Sequence, residues 1–184
     1  MSAQRKIVVA DFISLDGVVE APETWHMSYV DDEMMGVIWE DNDRFDTMLL
    51  GRTTYESFAG AFADADPDDE AAAQMNRQSR VVVSTTLRDP SWAGTTVLSD
   101  DVVAGIRALK EQPGKDLLTV GSTRLVRTML RAGLVDELSL LVHPVVVGSG
   151  ERLFEADGPK VALETVSTRT LGNGVTKAVY RVAG

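Results

Sequence analysis

The segment TMLLGRTT (residues 47–54) decides how this chain folds, because an apolar run ends there in a glycine and hydroxyl residues follow at once. Residues 47–50 have the composition of a short buried strand. Thr53 and Glu56 stand at the spacing of a capping box, which predicts a helix starting near Thr53 or Thr54. A strand that passes through a glycine into a helix is the repeating unit of parallel α/β folds.

The same unit recurs along the chain. Further strands are predicted at residues 6–12, 80–84, 96–98, 116–120 and 137–147, and helices at 30–45, 68–78, from Ser99 or Asp100 to about 111, and 122–132. Residues 161–170 and 175–182 predict a hairpin around Gly172-Asn173-Gly174. Short β-branched runs between helices are typical of strands buried on both faces of a parallel sheet. The predicted fold is therefore α/β, with a mostly parallel sheet and an antiparallel hairpin at one edge.

Length and composition restrict the class of protein. The 184 residues predict one domain over 1–184, and the 44% hydrophobic and 25% charged content is that of an ordinary globular protein. The net charge of −10 argues against nucleic acid and anionic membranes as partners. No signal peptide or membrane-spanning stretch is evident, so we expect a cytoplasmic protein. Without cysteine and with two histidines, no metal site is predicted.

Five acids crowd the segment around Pro67, namely Asp64, Asp66, Asp68, Asp69 and Glu70. Calcium loops have a longer spacing and a glycine bend, which this segment lacks. A solvated loop or a helix start is the preferred interpretation.

Three turns with similar chemistry follow predicted strands, at residues 50–54, 84–86 and 120–124. In open α/β sheets, ligands bind where strands end. A glycine lets a phosphate approach the backbone, the start of the next helix offers free N–H groups, and Arg52 and Arg124 add positive charge. Each turn taken alone is also explained by helix capping. The three turns together predict a ligand with several phosphate groups.

The order of these motifs resembles the dihydrofolate-reductase-like superfamily, and specifically single-domain relatives of the reductase domain in the bifunctional riboflavin-biosynthesis deaminase–reductase. The matching segments are residues 14–17 (SLDG), 49–56 (LLGRTTYE), 81–84 (VVVS), 120–121 (VG) and 134–138 (LVDEL), followed by Pro144, Gly148, Gly150, Leu153 and Phe154. This resemblance implies a three-layer α-β-α fold and a 5-amino-6-(5-phosphoribosylamino)uracil reductase-like or dihydrofolate reductase-like activity.

The resemblance also implies NADPH as the cofactor. Its nicotinamide would lie near the first strand and the Asp16-Gly17 turn, and Arg52 with Ser84 or Thr85 would meet the 2′-phosphate and ribose. The complete set of implied cofactor-binding residues is Gly17, Gly51, Arg52, Thr53, Thr54, Ser84, Thr85, Gly121, Ser122, Thr123, Arg124 and Leu125. Side chains at Ser122 and Thr123 stand where the family usually has glycines, which narrows the approach to the pyrophosphate.

Candidates for proton transfer are Asp11, Asp16 and Asp32, with Asp11 foremost because it interrupts an apolar strand beside the expected nicotinamide. His143 precedes a proline inside a strand, and a structural role is preferred for it. The acid that pairs with a pterin in dihydrofolate reductases would fall near Met35, where the nearest acids are Asp32 and Glu33. Folate reduction is therefore not predicted.

Trp25, Tyr29 and Glu33 are predicted to line the substrate side, where a flat ring could stack. A core role for the two aromatic residues is an equal alternative.

The sequence thus predicts an NADPH-dependent reductase acting on a small heterocyclic or carbonyl substrate. The substrate could resemble a riboflavin precursor, a pterin or a flavin. The alternative is a non-catalytic nucleotide-binding or dimerisation protein that kept the fold. By resemblance we also expect a homodimer, and the apolar residues 138–147 are long enough to serve both the core and a partner.

Overall fold

The computed structural model describes residues 4–66 and 68–183. Pro67 of the acidic segment and both chain ends lie outside that part. The described residues form one eight-stranded sheet in the order β4-β3-β2-β5-β1-β6-β8-β7. The strands are β1 (Ile7–Ser14), β2 (Phe45–Gly51), β3 (Ser79–Val83), β4 (Thr95–Leu98), β5 (Asp116–Val120), β6 (Glu137–His143), β7 (Leu163–Thr170) and β8 (Thr176–Val182).

Strands β1 to β6 run parallel, whereas β8 pairs antiparallel with both β6 and β7. The predicted fold class is therefore confirmed, including the C-terminal hairpin at one edge. The helices are α1 (Asp32–Trp39), α2 (Arg52–Phe62), α3 (Glu70–Arg77), α4 (Val102–Glu111) and α5 (Thr123–Arg131). No helix in the described ranges is long and apolar enough to cross a membrane.

The helices cover the two faces of the sheet in separate groups. Alternate residues of a strand point to opposite faces. Leu49 of β2 packs in one core cluster with residues of α4 and α5, whereas Met48 and Leu50 pack in another with residues of α2 and α3. Helix α1 packs on this second face, near β6 and the β7–β8 turn. This three-layer arrangement leaves the carboxyl ends of β1 to β6 together at one edge.

Several predicted boundaries were wrong. The helix predicted over 30–45 is only α1, because a separate short turn at Asn42–Arg44 precedes β2. Helix α2 begins at Arg52 with Gly51 as its N-cap, so the predicted Thr53–Glu56 capping box does not form. Helix α4 is capped by Asp101, not by Ser99 or Asp100. Strand β6 ends at His143 because Pro144, which follows it, has no N–H to donate.

The acidic segment contributes to local structure. The Asp69 side chain accepts hydrogen bonds from the N–H groups of Ala71 and Ala72 and caps α3. The Asp68 N–H donates to the Asp66 carboxylate at 3.0 Å. Within the described residues, no group of three or more potential ligands is placed to hold a metal ion.

Strand β6 lies between β1 and β8, so both of its backbone edges are paired. Leu138, Leu140 and Leu141 are buried in the chain's own core, whereas Val146 is exposed, so a contact of residues 138–147 with a partner stays a prediction. The free edge of the sheet on this side is β7, whose eight residues are all exposed.

Candidate functional site

The strand order brings the three glycine- and hydroxyl-containing turns side by side. Strand β2 pairs with β3 on one side and with β5 on the other. The turns after β3, β2 and β5 therefore meet at one edge of the sheet, as their shared chemistry suggested. Helix α2 leaves this edge on one face and α5 leaves it on the other.

Ser122 and Thr54 connect the turns after β2 and β5. The Gly51 N–H donates to the Ser122 hydroxyl at 2.9 Å, and the Ser122 N–H donates to the Thr54 hydroxyl at 3.0 Å. Ser122 adopts a left-handed conformation, with φ of +54°. A β-carbon on Gly121 would lie 3.2 Å from the Thr54 hydroxyl oxygen, so glycine is the residue that fits this approach. We call these four residues the Ser122 latch.

The starts of α2 and α5 differ from those of the other three helices. Helices α1, α3 and α4 are each capped by an aspartate side chain, whereas no side chain caps α2 or α5. Neither α2 nor α5 has an acid in its first turn. The first N–H groups of a helix have no partner within the helix, and the aligned peptide dipoles make that end positive. These two helix starts can therefore both bind an anion.

The basic and hydroxyl residues around the helix starts are accessible. Arg52 is half exposed, and its guanidinium lies 3.9 Å from Glu56 on the next turn of α2. Arg124 and Thr85 are exposed, while Thr53 lies at the open start of α2. The Ser84 hydroxyl accepts hydrogen bonds from the N–H groups of Thr86 and Leu87 and so shapes its own turn. The structure thus brings the predicted cofactor residues of the three turns together, and Gly17 lies apart on the turn after β1.

Asp11 lies beneath the turn that follows β5. Its neighbours in β1, Val9 and Ile13, pack on the α4–α5 face, so its side chain points to that face. One carboxyl oxygen accepts a hydrogen bond from the Gly121 N–H at 2.7 Å, and the other is buried without a partner. Burial raises the pKa of Asp11 to about 8, against which the Gly121 hydrogen bond acts in the opposite direction. Asp11 therefore carries a proton at neutral pH.

Asp16 fastens two loops together at the ends of β1 and β6. Its carboxylate accepts hydrogen bonds from the Ser14 hydroxyl and from the N–H groups of Val147 and Gly148, and Arg152 lies 3.5 Å away. These hydrogen bonds, that of Ser14 foremost, lower the pKa of Asp16 to about 2. Asp16 is thus ionised and engaged with the protein, which favours a structural role. Its part in proton transfer stays a prediction.

The acids of α1 do not face one site. Asp32 is exposed in the first turn of α1. Glu33 accepts hydrogen bonds from the Gly172 N–H and from Arg169, and the first of these is the main cause of its lowered pKa. Glu33 therefore positions the β7–β8 turn, although the sequence had suggested the substrate side.

Trp25 and Tyr29 belong to an aromatic cluster that sequence reasoning did not assemble. Their rings pack edge-on against the ring of His143, with centroids 5.2 and 5.3 Å away. His26 and Phe12 complete the cluster. It lies on the α1 side of the sheet, opposite to Asp11. No sequence spacing links residues 25–29 to His143, because only the fold brings the end of β6 to this segment.

Comparison with known proteins identifies the family. The family model of the RibD C-terminal domain matches residues 5–177. The chain belongs to the RibD C-terminal domain family.

Individual relatives share the sequence or the fold over nearly the whole chain. The Bacillus subtilis (strain 168) protein YyaP is 30% identical over 184 residues, which are 98% of this chain and 97% of YyaP. A protein from Shewanella sp. PV-4 assigned to riboflavin biosynthesis superposes with a TM-score of 0.78 at 18% identity, over 97% of this chain and 99% of that one. A pyrimidine reductase-like protein from Corynebacterium diphtheriae gives 0.72 at 13% identity, over 98% and 92% of the two chains. Membership of this family indicates a reductase-like protein.

The RibD C-terminal domain described here thus has two chemically different places at one edge of the sheet. The first is the pair of open helix starts with the Ser122 latch, where uncapped N–H groups lie beside Arg52 and Arg124. The second is the aromatic cluster around His143, on the other face from Asp11. Asp11 is therefore in contact with the turn after β5, through the Gly121 N–H, and lies on the other face of the sheet from Trp25 and Tyr29.

Replacing Asp11 with asparagine should stabilise the protein increasingly as the pH rises. The pKa of Asp11 in the folded chain, about 8, lies above the ordinary aspartate pKa of 3.8, so between these pH values the folded chain holds a proton that the unfolded chain has lost. The free energy of unfolding of the wild type therefore falls as the pH rises through this window, by at most about 1.4 kcal/mol per pH unit, and levels off above pH 8. Asparagine cannot ionise, so the free energy of unfolding of the variant does not fall with pH for this reason.

Urea unfolding of Asp11→Asn and wild type from pH 4 to 9 measures the effect. Asp16→Asn is the control, because the pKa of Asp16 is lowered and its carboxylate is ionised in both the folded and the unfolded chain above about pH 4, so this variant should be less stable than wild type by an amount that does not change from pH 5 to 9. A stability difference between Asp11→Asn and wild type that does not change with pH would contradict the buried, protonated carboxyl.

Proposed function

We propose that this protein is an NADPH-dependent reductase that transfers hydride to a small heterocyclic or carbonyl substrate. The observation that carries the proposal is the pair of uncapped helix starts, α2 and α5, in contact at the carboxyl ends of β2 and β5. Helix starts at this position of an α/β sheet are where pyrophosphate groups bind.

Local charge supports an anionic ligand in spite of the acidic chain. The net charge is −10, which on average repels a phosphorylated dinucleotide. Arg52 and Arg124 stand at the two open helix starts, whereas the acids of α1, α3 and α4 cap their own helices elsewhere. The carboxyl nearest to the phosphate turn, that of Asp11, is neutral because burial raises its pKa. The edge between β2 and β5 thus carries two exposed arginines, of which Arg52 also lies near Glu56, on a protein with a net charge of −10.

The relatives support the choice of reaction. The family is that of the RibD C-terminal domain, and one structural relative is a pyrimidine reductase-like protein. A nicotinamide dinucleotide is the cofactor expected for such a reductase, and a riboflavin-precursor-, pterin- or flavin-like ring is the expected class of substrate. The arginine fork at Arg52 makes NADPH the choice over NADH, since only NADPH has a 2′-phosphate.

Each group of residues has a part in this proposal. The N–H groups of Thr123, Arg124 and Leu125, with Gly121, hold the pyrophosphate, and Arg52 with Ser84 or Thr85 holds the adenosine ribose and its phosphate. Asp11 keeps its proton on the buried carboxyl and thereby avoids placing a negative charge under the pyrophosphate. Asp16 and Gly17 shape the turn beside the nicotinamide. When bound, NADPH supplies the hydride.

A non-catalytic nucleotide-binding or dimerisation protein is the second candidate, and the Ser122 latch is the observation that favours it. Three N–H groups that could face a phosphate already have partners, namely those of Gly51, Gly121 and Ser122. A chain that closed its phosphate turn in this way would keep the fold and lose the cofactor. Absence of NADPH binding in a calorimetric titration would favour a dimerisation protein, and NADPH binding without oxidation of NADPH by any substrate of the expected class would favour a non-catalytic nucleotide-binding protein.

Titration calorimetry with NADPH and NADH, on wild type and Arg52→Ala, tests the proposal. Wild type should bind NADPH with a clear preference over NADH. Arg52→Ala should weaken NADPH by about 10- to 100-fold and NADH far less, because a charge-assisted hydrogen bond contributes about 1.5–3 kcal/mol. Arg107→Ala, which removes an exposed arginine of α4, is the matched control. Equal losses for both nucleotides would remove Arg52 from this role, and no binding of either by wild type would refute the reductase.

Replacing Ser122 with glycine should open the phosphate turn. Glycine tolerates the positive φ of this position, so little stability should be lost beyond the two hydrogen bonds of the hydroxyl. The freed Gly51 N–H can then face a phosphate, and NADPH affinity should rise several-fold in calorimetry. Ser122→Ala removes the same hydroxyl but keeps the strained φ, and it separates the effect of the hydrogen bonds from that of the backbone. Weaker binding in Ser122→Gly would show that the latch organises the site and does not obstruct it.

We further propose a homodimer in which β7 pairs with β7 of a second copy. An unpaired, fully exposed edge strand with Leu163 39% and Val166 50% exposed is a template for strand pairing. Sedimentation should give a species of twice the 19.9 kDa chain mass. Val166→Lys should shift it toward monomer, because a charge at an edge strand opposes pairing, whereas Arg107→Lys on α4 should not. A monomeric wild type would contradict the dimer.

A further inference from the structure

His143 is buried at the end of β6 inside the aromatic cluster, which consists of Phe12, Trp25, His26, Tyr29 and His143. Four rings surround the imidazole of His143, with centroids between 5.2 and 5.9 Å away. The His143 side chain has no exposed surface. A histidine this enclosed requires partners for both ring nitrogens, because buried polar groups are normally hydrogen-bonded.

Only one nitrogen of His143 has a partner. The Nδ1 atom lies 2.8 Å from the Leu141 carbonyl oxygen, and since a carbonyl only accepts, Nδ1 carries the hydrogen. Burial is the main cause of the lowered pKa of His143, while the backbone at Leu141 and at Ile13 acts in the opposite direction. The ring is therefore neutral, and with the hydrogen on Nδ1 the Nε2 atom has a lone pair. This Nε2 atom is buried and has no partner in the described residues. It is an acceptor that lacks a donor.

His26 has a similar deficit. Its ring is stacked on Phe12, at a centroid distance of 4.6 Å and an interplanar angle of 15°, and its Nδ1 atom is also buried without a partner among the described residues. Each unsatisfied buried nitrogen costs about 1–3 kcal/mol. The imidazole of His26 covers the face of Phe12 as a small flat heterocycle would.

The segment that carries Trp25 and His26 is lightly attached. It consists of two single-turn helices, Pro22–Thr24 and Met27–Tyr29, neither of which contains a buried residue or a side-chain cap. The indole nitrogen of Trp25 donates to the carbonyl of Glu20, two residues before this segment. Ala21, at its start, has a positive φ of 45°, a conformation that a residue with a β-carbon rarely adopts. Tyr29 is held by the Asn173 amide, which donates to the Tyr29 carbonyl at 2.6 Å, so the part that can move away from His143 without breaking the sheet or α1 is the stretch with Trp25 and His26.

We propose that the aromatic cluster is the substrate site of the reductase, and that His143 Nε2 accepts a hydrogen bond from a ring N–H of a flat heteroaromatic substrate. The substrate ring replaces that of His26 on Phe12, and Trp25 and Tyr29 flank it. The reduction of the bound ring rests on the proposed function, whereas the binding of the ring does not. A ring N–H of the substrate gives His143 Nε2 the donor that it lacks in the free protein. The site therefore prefers rings with an N–H over the same rings alkylated at nitrogen.

Lumazine and 1,3-dimethyllumazine are matched probes. Both are flat bicyclic rings, but only the first has ring N–H groups. The chain has two histidines, so protein labelled with 15N-histidine gives two sets of imidazole nitrogen resonances. We expect lumazine to shift the His143 Nε2 resonance toward the hydrogen-bonded position, and dimethyllumazine to bind at least about tenfold more weakly without that shift.

Two variants test the acceptor. His143→Phe keeps an aromatic ring without a lone pair and should weaken lumazine by about tenfold while leaving dimethyllumazine unchanged. His143→Gln retains an amide oxygen near the position of Nε2 and should restore much of the preference. The wild-type resonances decide the question by themselves if His143→Phe does not fold.

Equal affinity for the two probes overturns the proposal. So does saturation with lumazine that leaves both histidines unshifted, and so does the absence of lumazine binding at millimolar concentration. The separate NADPH titration distinguishes the two proposals. NADPH binding with an unresponsive His143 refutes this substrate site alone, whereas a lumazine-dependent shift without NADPH binding refutes the reductase and leaves the ring-binding site in place.

Discussion

The hydrogen bond from the Gly51 N–H to the Ser122 hydroxyl joins the turns after β2 and β5, two strands that also pair in parallel, and the way in which the starts of α2 and α5 meet depends on it. It holds α2 and α5 at a separation where one residue, Thr54, receives the Ser122 N–H. It also explains why two helix starts on opposite faces of the sheet stay close without caps of their own. The same hydrogen bond holds the two turns together and occupies the Gly51 N–H, which a phosphate could otherwise use.

The two faces of the sheet separate two kinds of chemistry. Asp11 and His143 lie on neighbouring strands, yet the alternation of side chains sends Asp11 toward α5 and His143 toward α1. A cofactor laid across the carboxyl ends of the strands would reach both faces, with its phosphates above Asp11. Hydride transfer would then take place on the His143 side, so a buried acid in β1 is not automatically the proton donor.

Residue patterns predicted the elements well and the contacts poorly. The run DLLTV at Asp116–Val120 was predicted with the observed bounds, because a buried strand between a Pro-Gly break and a glycine turn leaves little choice. The extent of α1 and the cap of α2 were wrong, since local spacing cannot show where tertiary packing ends a helix. The roles of Glu33 and His143 depend on partners more than 100 positions away, Gly172 and Trp25, and no local pattern encodes such pairs.

The unsatisfied atoms of the structure point to the same edge. Six buried side-chain atoms of the described residues have no hydrogen-bond partner, and four of them belong to Asp11, Thr119, His26 and His143. Thr119 and Asp11 lie near the ends of β5 and β1, beneath the phosphate turn, and the two histidines lie in the aromatic cluster. A fold selected for stability alone would satisfy or remove such groups, because each weakens the folded state. Four of the six atoms thus lie beneath the turn or within the cluster where we propose that the cofactor and the substrate bind.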